Sequence, residues 1–429
     1  MDRKTEQKCA KEMLLFIEKS PTCFHAVENV KQRLAQAGYE ELKEKDVWQL
    51  APGNGYYVTR NDSSLIAFRL PMEPKGFHIV AAHTDSPTFK LKESPEITVE
   101  NHYVKLNTEK YGGMILSTWL DRPLSVAGRL AVRTSEGIAT RLVMVDEDLL
   151  VIPNVAIHMN REMNKGVEYN PQVDMLPLFA EAKESRGEGG LLKKVAKAAK
   201  VEASDILAHD LFLYVHDKGR IFGENGEYVL SSRLDDLQCV YAAVEGFVAS
   251  TPTEYINVCA IFDNEEIGSG TKQGADSTFL EDTLSGVAES IGLQGRDYKR
   301  LLADSFLISA DNAHAVHPNH PEKADPTNRP YLNGGIVIKY HGAQKYTTDA
   351  FSAAFMKQIC EKASVPYQTY ANRADIPGGS TLGNISTAHV SVPSVDIGLP
   401  QLAMHSAVET AGVRDTGYAI KAFETFFQA

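Results

Sequence analysis

Histidine and carboxylate residues recur just beyond the ends of apolar runs in this chain. Phe77–Ala82 leads to His83 and Asp85, Ile256–Phe262 to Glu265 and Glu266, and Phe306–Ala310 to Asp311. Val392–Gly398 leads, past a longer loop, to His405, and Asp235 stands in Ser232-Arg233-Leu234-Asp235-Asp236. In open α/β sheets the carboxyl ends of the strands form the ligand crevice. Two imidazoles and three carboxylates suit a pair of zinc-like ions bridged by one carboxylate and a water. In Asp263-Asn264-Glu265-Glu266, three acids within four residues repel one another unless a dication lies among them. Adjacent side chains diverge, so one Glu can bind metal while the other faces the attacking water as general base.

Each piece also has a plainer reading. His83-Thr84-Asp85 is a polar turn as readily as a metal-bound imidazole with an orienting carboxylate. Asp235 and Asp236 suit a helix N-cap. The acidic run suits a solvated loop. His314, His317 and His320 recur at a three-residue spacing, but Pro318 and Pro321 break any helix there, which favours a polar loop. Gly378-Gly379-Ser380-Thr381 lacks the Lys and spacing of a nucleotide-binding loop.

The elements that must position these groups follow from periodicity. Residues 5–19 and 25–37 are predicted helices, with Ala10, Met13, Leu14 and Ile17 on one apolar face and Val27, Val30, Leu34 and Ala35 on the other. Short strands are expected near 55–59 and 64–69, and Phe77–Ala82 is apolar enough to be buried on both faces. From Ile97 to Val151 the chain turns to short alternating runs rich in Val, Thr and Tyr, punctuated by Gly112-Gly113 and Glu136-Gly137, which is antiparallel β character. Residues 180–203, Gly-interrupted and Lys-rich, read as a mobile surface loop running into a solvated helix. An α/β rhythm returns near 230: helices at 237–247, 276–290, 348–364 and 412–427, strands at 255–262, 305–310 and 392–397. One catalytic domain, 1–92 and 230–429, is therefore interrupted by a β-rich insertion, 93–229.

The 429 residues carry 44 Lys plus Arg against 56 Asp plus Glu, a net charge of −12. Nucleic acid and anionic membrane both need a basic face, so neither is an expected partner. The five cysteines form no Cys-x-x-Cys, which points to a reducing, cytoplasmic setting rather than a disulfide framework. No signal-type apolar stretch follows the first eight residues, and no apolar run reaches the ~18 residues of a membrane span.

The ordered set His83-Thr84-Asp85-Ser86-Pro87, Ser232–Asp235, Asp263–Ser269, Ser309–His314, Gly379–Gly383 and Met404-His405-Ser406 resembles the aspartyl aminopeptidase family of dinuclear zinc exopeptidases, as a bacterial member. Ser20–Val27 matches its N-terminal motif loosely. The resemblance spans nearly the whole chain. It implies a three-layer α/β/α phosphorylase-like catalytic domain, an inserted dimerisation domain and a tetrahedral dodecamer. It also implies that His83, Asp235 and Glu266 hold one zinc ion and Asp235, Asp311 and His405 the other, or the reverse allotment. Glu265 matches the base and Asp85 the orienting acid. His158 matches the inserted-domain histidine that reaches a neighbouring subunit's site, and Lys339 and Tyr346 the substrate pocket. Tyr340-His341-Gly342 departs from the eukaryotic members, which leaves the side-chain preference open between acidic and neutral. Gly379 and Ser380 lie in a Gly-rich turn that lets a substrate backbone approach. Cobalt or manganese suits the same ligands. The expected activity is removal of N-terminal residues from peptides; the rivals are another dinuclear amidase on this scaffold and a catalytically silent assembly protein.

Overall fold

The computed structural model describes residues 2–182, 190–379 and 381–429. The chain divides into two compact units: Met1–Asp85 with Gly219–Met404 and Glu409–Ala429, and Ser86–Lys218 with His405–Val408.

The first unit is built on a nine-stranded sheet. Its order is Glu40–Glu41, Gly55–Arg60, Ser64–Arg69, Tyr255–Phe262, Gly76–His83, Phe306–Ala310, Ser394–Gly398, Ile336–Tyr340, Tyr367–Ala371. The four strands at the centre, from Tyr255–Phe262 to Ser394–Gly398, run parallel. All eight residues of Gly76–His83 are buried, as expected of a parallel strand covered on both faces. Alternation sends Phe77, Ile79 and Ala81 into one hydrophobic core and Val80 and Ala82 into another. Helices Arg3–Glu18, Cys23–Gln36, Leu234–Ala249, Ala350–Ala363 and Asp415–Phe427 contribute to the second core, and Phe279–Ser290 and Arg296–Ala303 to the first. The result is the three-layer α/β/α sandwich. Helix Arg3–Glu18 buries Ala10, Met13, Leu14 and Ile17, the four residues its periodicity singles out. Asp2 caps it, accepting the Thr5 N–H at 2.8 Å.

A second, five-stranded sheet lies in the same unit: Arg220–Phe222, Tyr228–Ser231, Glu409–Gly412, Pro400–Leu402, Ala313–His314. Its strands are two to four residues long. Such strands have too few residues to show alternation, and the sequence gives no sign of the sheet.

The second unit is an antiparallel sheet in the order Gly137–Met144, Leu124–Thr134, Ile206–Val215, Thr88–Val99, Tyr103–Tyr111, Leu178–Glu181. Phe89, Trp119, Leu130 and Leu211 lie in its core. Helix Gly190–Ala199 is amphipathic rather than merely solvated, since Leu191 and Val195 are fully buried in that core. The expected loop before it falls on residues 183–189, outside the described residues.

Candidate metal centre and active site

The strand register brings the chemistry to one edge of the central sheet. Phe262 lies opposite His83, so the acidic run begins where the histidine strand ends. Ser309 lies opposite Ala81, which sets Asp311 level with His83 two residues later. The Asp311 N–H donates to Ile397 O at 3.1 Å. Gly398 permits this approach: a Cβ there would lie 2.1 Å from the Asp311 carbonyl oxygen. Asp235 and Asp236 arrive from the side, at the start of helix Leu234–Ala249, where their backbone is non-helical. Neither acts as an N-cap: the cap residue is Arg233, in the left-handed region, with no side-chain cap bond. The Asp235 N–H is instead held by the buried Glu409 carboxylate at 3.1 Å.

His83 is 1% exposed, with Nε2 3.3 Å from Asp235 Oδ1 and 3.9 Å from Asp311 Oδ1. Ligand atoms of His83, Asp235, Asp236 and Asp311 all lie within 4.8 Å of one another, as do those of His83, Glu265 and Glu266. A carboxylate oxygen of Asp235 also lies within 4.8 Å of one of Glu266. Two unit like charges ~4 Å apart cost about 4 kcal/mol even at an effective dielectric of 20. A few such pairs would consume the ~5–15 kcal/mol by which a domain is stable. Full ionisation of this cluster therefore requires a cation. Burial, reinforced by neighbouring acids, holds the Asp236 and Glu266 carboxyls well above the usual range and pushes Glu265 up to about 8. Burial alone would lower the His83 imidazole, but Asp235, Asp311 and Asp85 together raise it well above its ordinary value. Asp236 Oδ1 is buried with no hydrogen-bond partner among the described residues. A set of carboxylates, an acceptor left over and an imidazole whose proton a cation would displace fits zinc or a similar divalent ion.

Asp85 performs two tasks. Its Oδ1 lies 3.4 Å from His83 Nδ1, and its main-chain oxygen 3.1 Å from the same nitrogen, which leaves Nε2 to face the acids. Its two carboxylate oxygens also accept the N–H groups of Glu265 and Glu266, each at 3.1 Å. The short 3₁₀ turn Glu265–Ile267 is thus pinned at its first two residues. Asn264, left-handed at φ 64°, receives the Thr271 hydroxyl and the Gln273 amide on its Oδ1, each at 2.8 Å. The plain polar-turn and solvated-loop readings fail here, because His83, Asp85, Asp263 and Asn264 are buried.

Lys339 is also buried, in strand Ile336–Tyr340, with Nζ 3.5 Å from Asp311 Oδ2 and 5.6 Å from the centre of the Tyr346 ring. Burial would lower its ammonium pKa, but Asp311 and its neighbours raise it above the ordinary lysine value. Gly379 is exposed with open space where a Cβ would stand. Ser380 lies outside the described residues. His158 is exposed in a turn of the second unit. His405 also belongs to that unit; it is left-handed at φ 65°, and its carbonyl accepts the Ile115 N–H at 3.0 Å. His314, His317 and His320 are exposed and enter none of the metal-capable groups among the described residues. Asp236, Glu409 and Asn312 join the centre unannounced by sequence. Asp236 and Asn312 carry one signal, adjacency to the ligand candidates Asp235 and Asp311, and Glu409 carries none.

A family model described as aminopeptidase I zinc metalloprotease (M18) matches residues 16–427. A protein of Clostridium novyi (strain NT), named probable M18 family aminopeptidase 2, is 49% identical over 431 residues, spanning 99% of either chain. Among solved structures, a chain of the Ape4 and Nbr1 complex superposes with a TM-score of 0.96 at 37% identity, covering 99% of this chain and 86% of that one. The S. cerevisiae mApe1 dodecamer matches with a TM-score of 0.86 at 27% identity, over 98% and 96% of the two chains.

Proposed function

The chain belongs to the aminopeptidase I zinc metalloprotease (M18) family and is a zinc metallo-aminopeptidase, and on that premise we propose how its residues divide the work. His83, Asp235 and Glu266 would hold one ion and Asp235, Asp311 and His405 a second, or the reverse allotment, with Asp235 serving both. Zinc is the ion of the family, and cobalt or manganese suits the same donors. Bound there, the pair supplies a polarised scissile carbonyl and a water acidified toward neutrality. Glu265 takes the attacking water's proton on its carboxylate and returns it to the departing amine nitrogen. Asp85 holds the His83 tautomer and keeps Glu265 in register through its N–H. The observation that carries this reading is the gathering of His83, Asp311, Glu265 and Glu266, at the ends of buried parallel strands, with Asp235 from the start of helix Leu234–Ala249.

Substrates are peptides with a free N-terminus. Lys339 and Tyr346 line the pocket for the first side chain, and Gly379 and Ser380 bind the peptide backbone. A buried ammonium favours an acidic first residue, Asp or Glu. The Lys339–Asp311 contact of 3.5 Å favours a second reading, in which the lysine is spent on a ligand and the preference is neutral. The second unit, with the insertion expected at 93–229 between catalytic segments 1–92 and 230–429, serves dimerisation. Dimers build a homo-oligomer, a tetrahedral dodecamer, in which the exposed His158 reaches a neighbouring copy's site and binds the developing oxyanion. No helix among the described residues is long and apolar enough to cross a membrane, and we assign the enzyme to the cytoplasm.

The test is a panel of aminoacyl chromogenic substrates, free and N-blocked, with chelator and with metal added back. Cleavage of free substrates alone, lost on chelation and restored by zinc, is expected. Equal cleavage of N-blocked substrates would favour a general amidase. A leading Asp or Glu derivative separates the acidic from the neutral preference.

A further inference from the structure

Adjoining the ligand candidates Asp235 and Asp311 is a buried cluster of amides that the chemistry above does not use. Asn312, Gln238 and Gln401 are each no more than 2% exposed. The Asn312 Nδ2 lies 3.0 Å from the Leu234 carbonyl oxygen, 3.2 Å from Gln238 Oε1 and 3.0 Å from Gln401 Oε1. A main-chain carbonyl can only accept, so the bond to Leu234 fixes which end of the amide points there. The Asn312 Oδ1 then accepts from the Cys239 thiol at 3.2 Å, and Gln238 Nε2 donates to Thr416 Oγ1 at 3.0 Å.

The location matters more than the number of bonds. Leu234 immediately precedes Asp235, and Asn312 immediately follows Asp311. The backbone at Asp235 and Asp236 is non-helical, so helix hydrogen bonds do not fix Asp235 in place. What holds it is the Glu409 carboxylate on its N–H and, one residue earlier, Asn312 on the Leu234 carbonyl. On the other side Asp311 and Ala313 are tied by their N–H groups to Ile397 and Leu399. One side chain therefore clips together two ligand-bearing segments 78 residues apart in sequence. A buried amide that lost these partners would pay the full desolvation cost, which makes the clip hard to slip.

We propose that Asn312 is a positioning residue that sets the separation of the Asp235 and Asp311 carboxylates, and with it the affinity and geometry of the ion they share. The inference rests on the two-ion reading above. Partners that orient metal ligands typically carry ~10–100-fold of metal affinity.

The experiment is zinc titration of the full-length protein against a chromophoric chelator, paired with the visible absorption spectrum of the cobalt(II)-loaded form and with thermal unfolding. Asn312→Leu keeps the volume and removes the donor. It is expected to weaken the shared ion by ~10–100-fold and to change the cobalt spectrum. Thr416→Val cuts the same network one bond further out and is expected to stay within about threefold of the wild type, as outer members of a network contribute less. Wild-type affinity and an unchanged cobalt spectrum in Asn312→Leu overturn the proposal. If that variant does not fold, Gln401→Met, which removes one of the three acceptors, decides: weakened zinc with an altered spectrum supports the clip, and unchanged values overturn it. A wild-type protein that binds a single ion fails the two-ion reading instead, and the affinity of that one ion in Asn312→Leu still judges Asn312.

Discussion

Two histidines in this molecule each sit against two aspartates, and only one of them marks a site. His83 lies 3.3 Å from Asp235 and 3.4 Å from Asp85, and all three side chains are at most 3% exposed. His216, in the second unit, lies 3.1 Å from Asp146 and 2.6 Å from Asp148, whose side chains are 78% and 71% exposed. The charge types and distances are alike. What differs is water. Around His216, solvent screens the acids and each can ionise at little cost. Around His83 the acids are crowded where solvent cannot reach them, and further carboxylates from Glu265, Glu266 and Asp311 join them. Burial turns an ordinary acid–histidine contact into a place that demands a cation.

Breaking each cluster should therefore give very different results. Asp235→Ala removes the proposed shared ligand and should abolish tight zinc binding together with activity, read by metal analysis of the purified variant; two tightly held ions in that variant would count against sharing. Glu265→Gln keeps the shape and should keep zinc while lowering kcat by about 10³–10⁴-fold, the upper range for a lost general base; near-normal turnover would remove Glu265 from that role. Asp85→Asn preserves one acceptor but weakens the hold on His83 and on the Glu265–Glu266 turn. A loss of ~10–100-fold in zinc affinity or kcat/KM is expected, and an unaltered enzyme would make Asp85 a bystander. At the other cluster, Asp148→Asn should leave zinc and kcat untouched. Burial tends to lower the His216 pKa, but Asp148 and Asp146 outweigh it and raise it above 6.5. The pair then adds stability that is present in full below pH ~6.5 and fades as pH rises through the raised value. The variant should lose about 0.5 kcal/mol at pH 6 and less at pH 9, as befits an exposed pair; a loss of several kcal/mol would erase the difference between the two histidines.

Much of this was legible in the chain because buried parallel strands write themselves as unbroken apolar runs. Phe77–Ala82, Ile256–Phe262 and Phe306–Ala310 announce their ends, and so His83, Glu265, Glu266 and Asp311 stand out. The amphipathic helices were equally plain, down to Met13 and Ile17. Strands of two to four residues were not, since Pro400–Leu402 and Ala313–His314 are too short for a period. With that small sheet went Glu409, which is an isolated acid in sequence and a buried partner of the Asp235 N–H in space. The reading of Asp235 and Asp236 as helix caps failed for a related reason. Cap propensity is local, whereas the backbone there is shaped by His83, Glu409 and Asn312, which all come from elsewhere in the chain. Lys339 shows the same limit: its burial beside Asp311 depends on strand order, which no local pattern records.

Whether the centre holds two ions is tested most directly by crystals of the zinc-loaded protein, with diffraction measured at the zinc absorption edge. Two anomalous peaks about 3.5–4 Å apart, with Asp235 between them and His83 on one, are the predicted result. A lone peak, or zinc bound away from His83, Asp235 and Asp311, would contradict the two-ion reading.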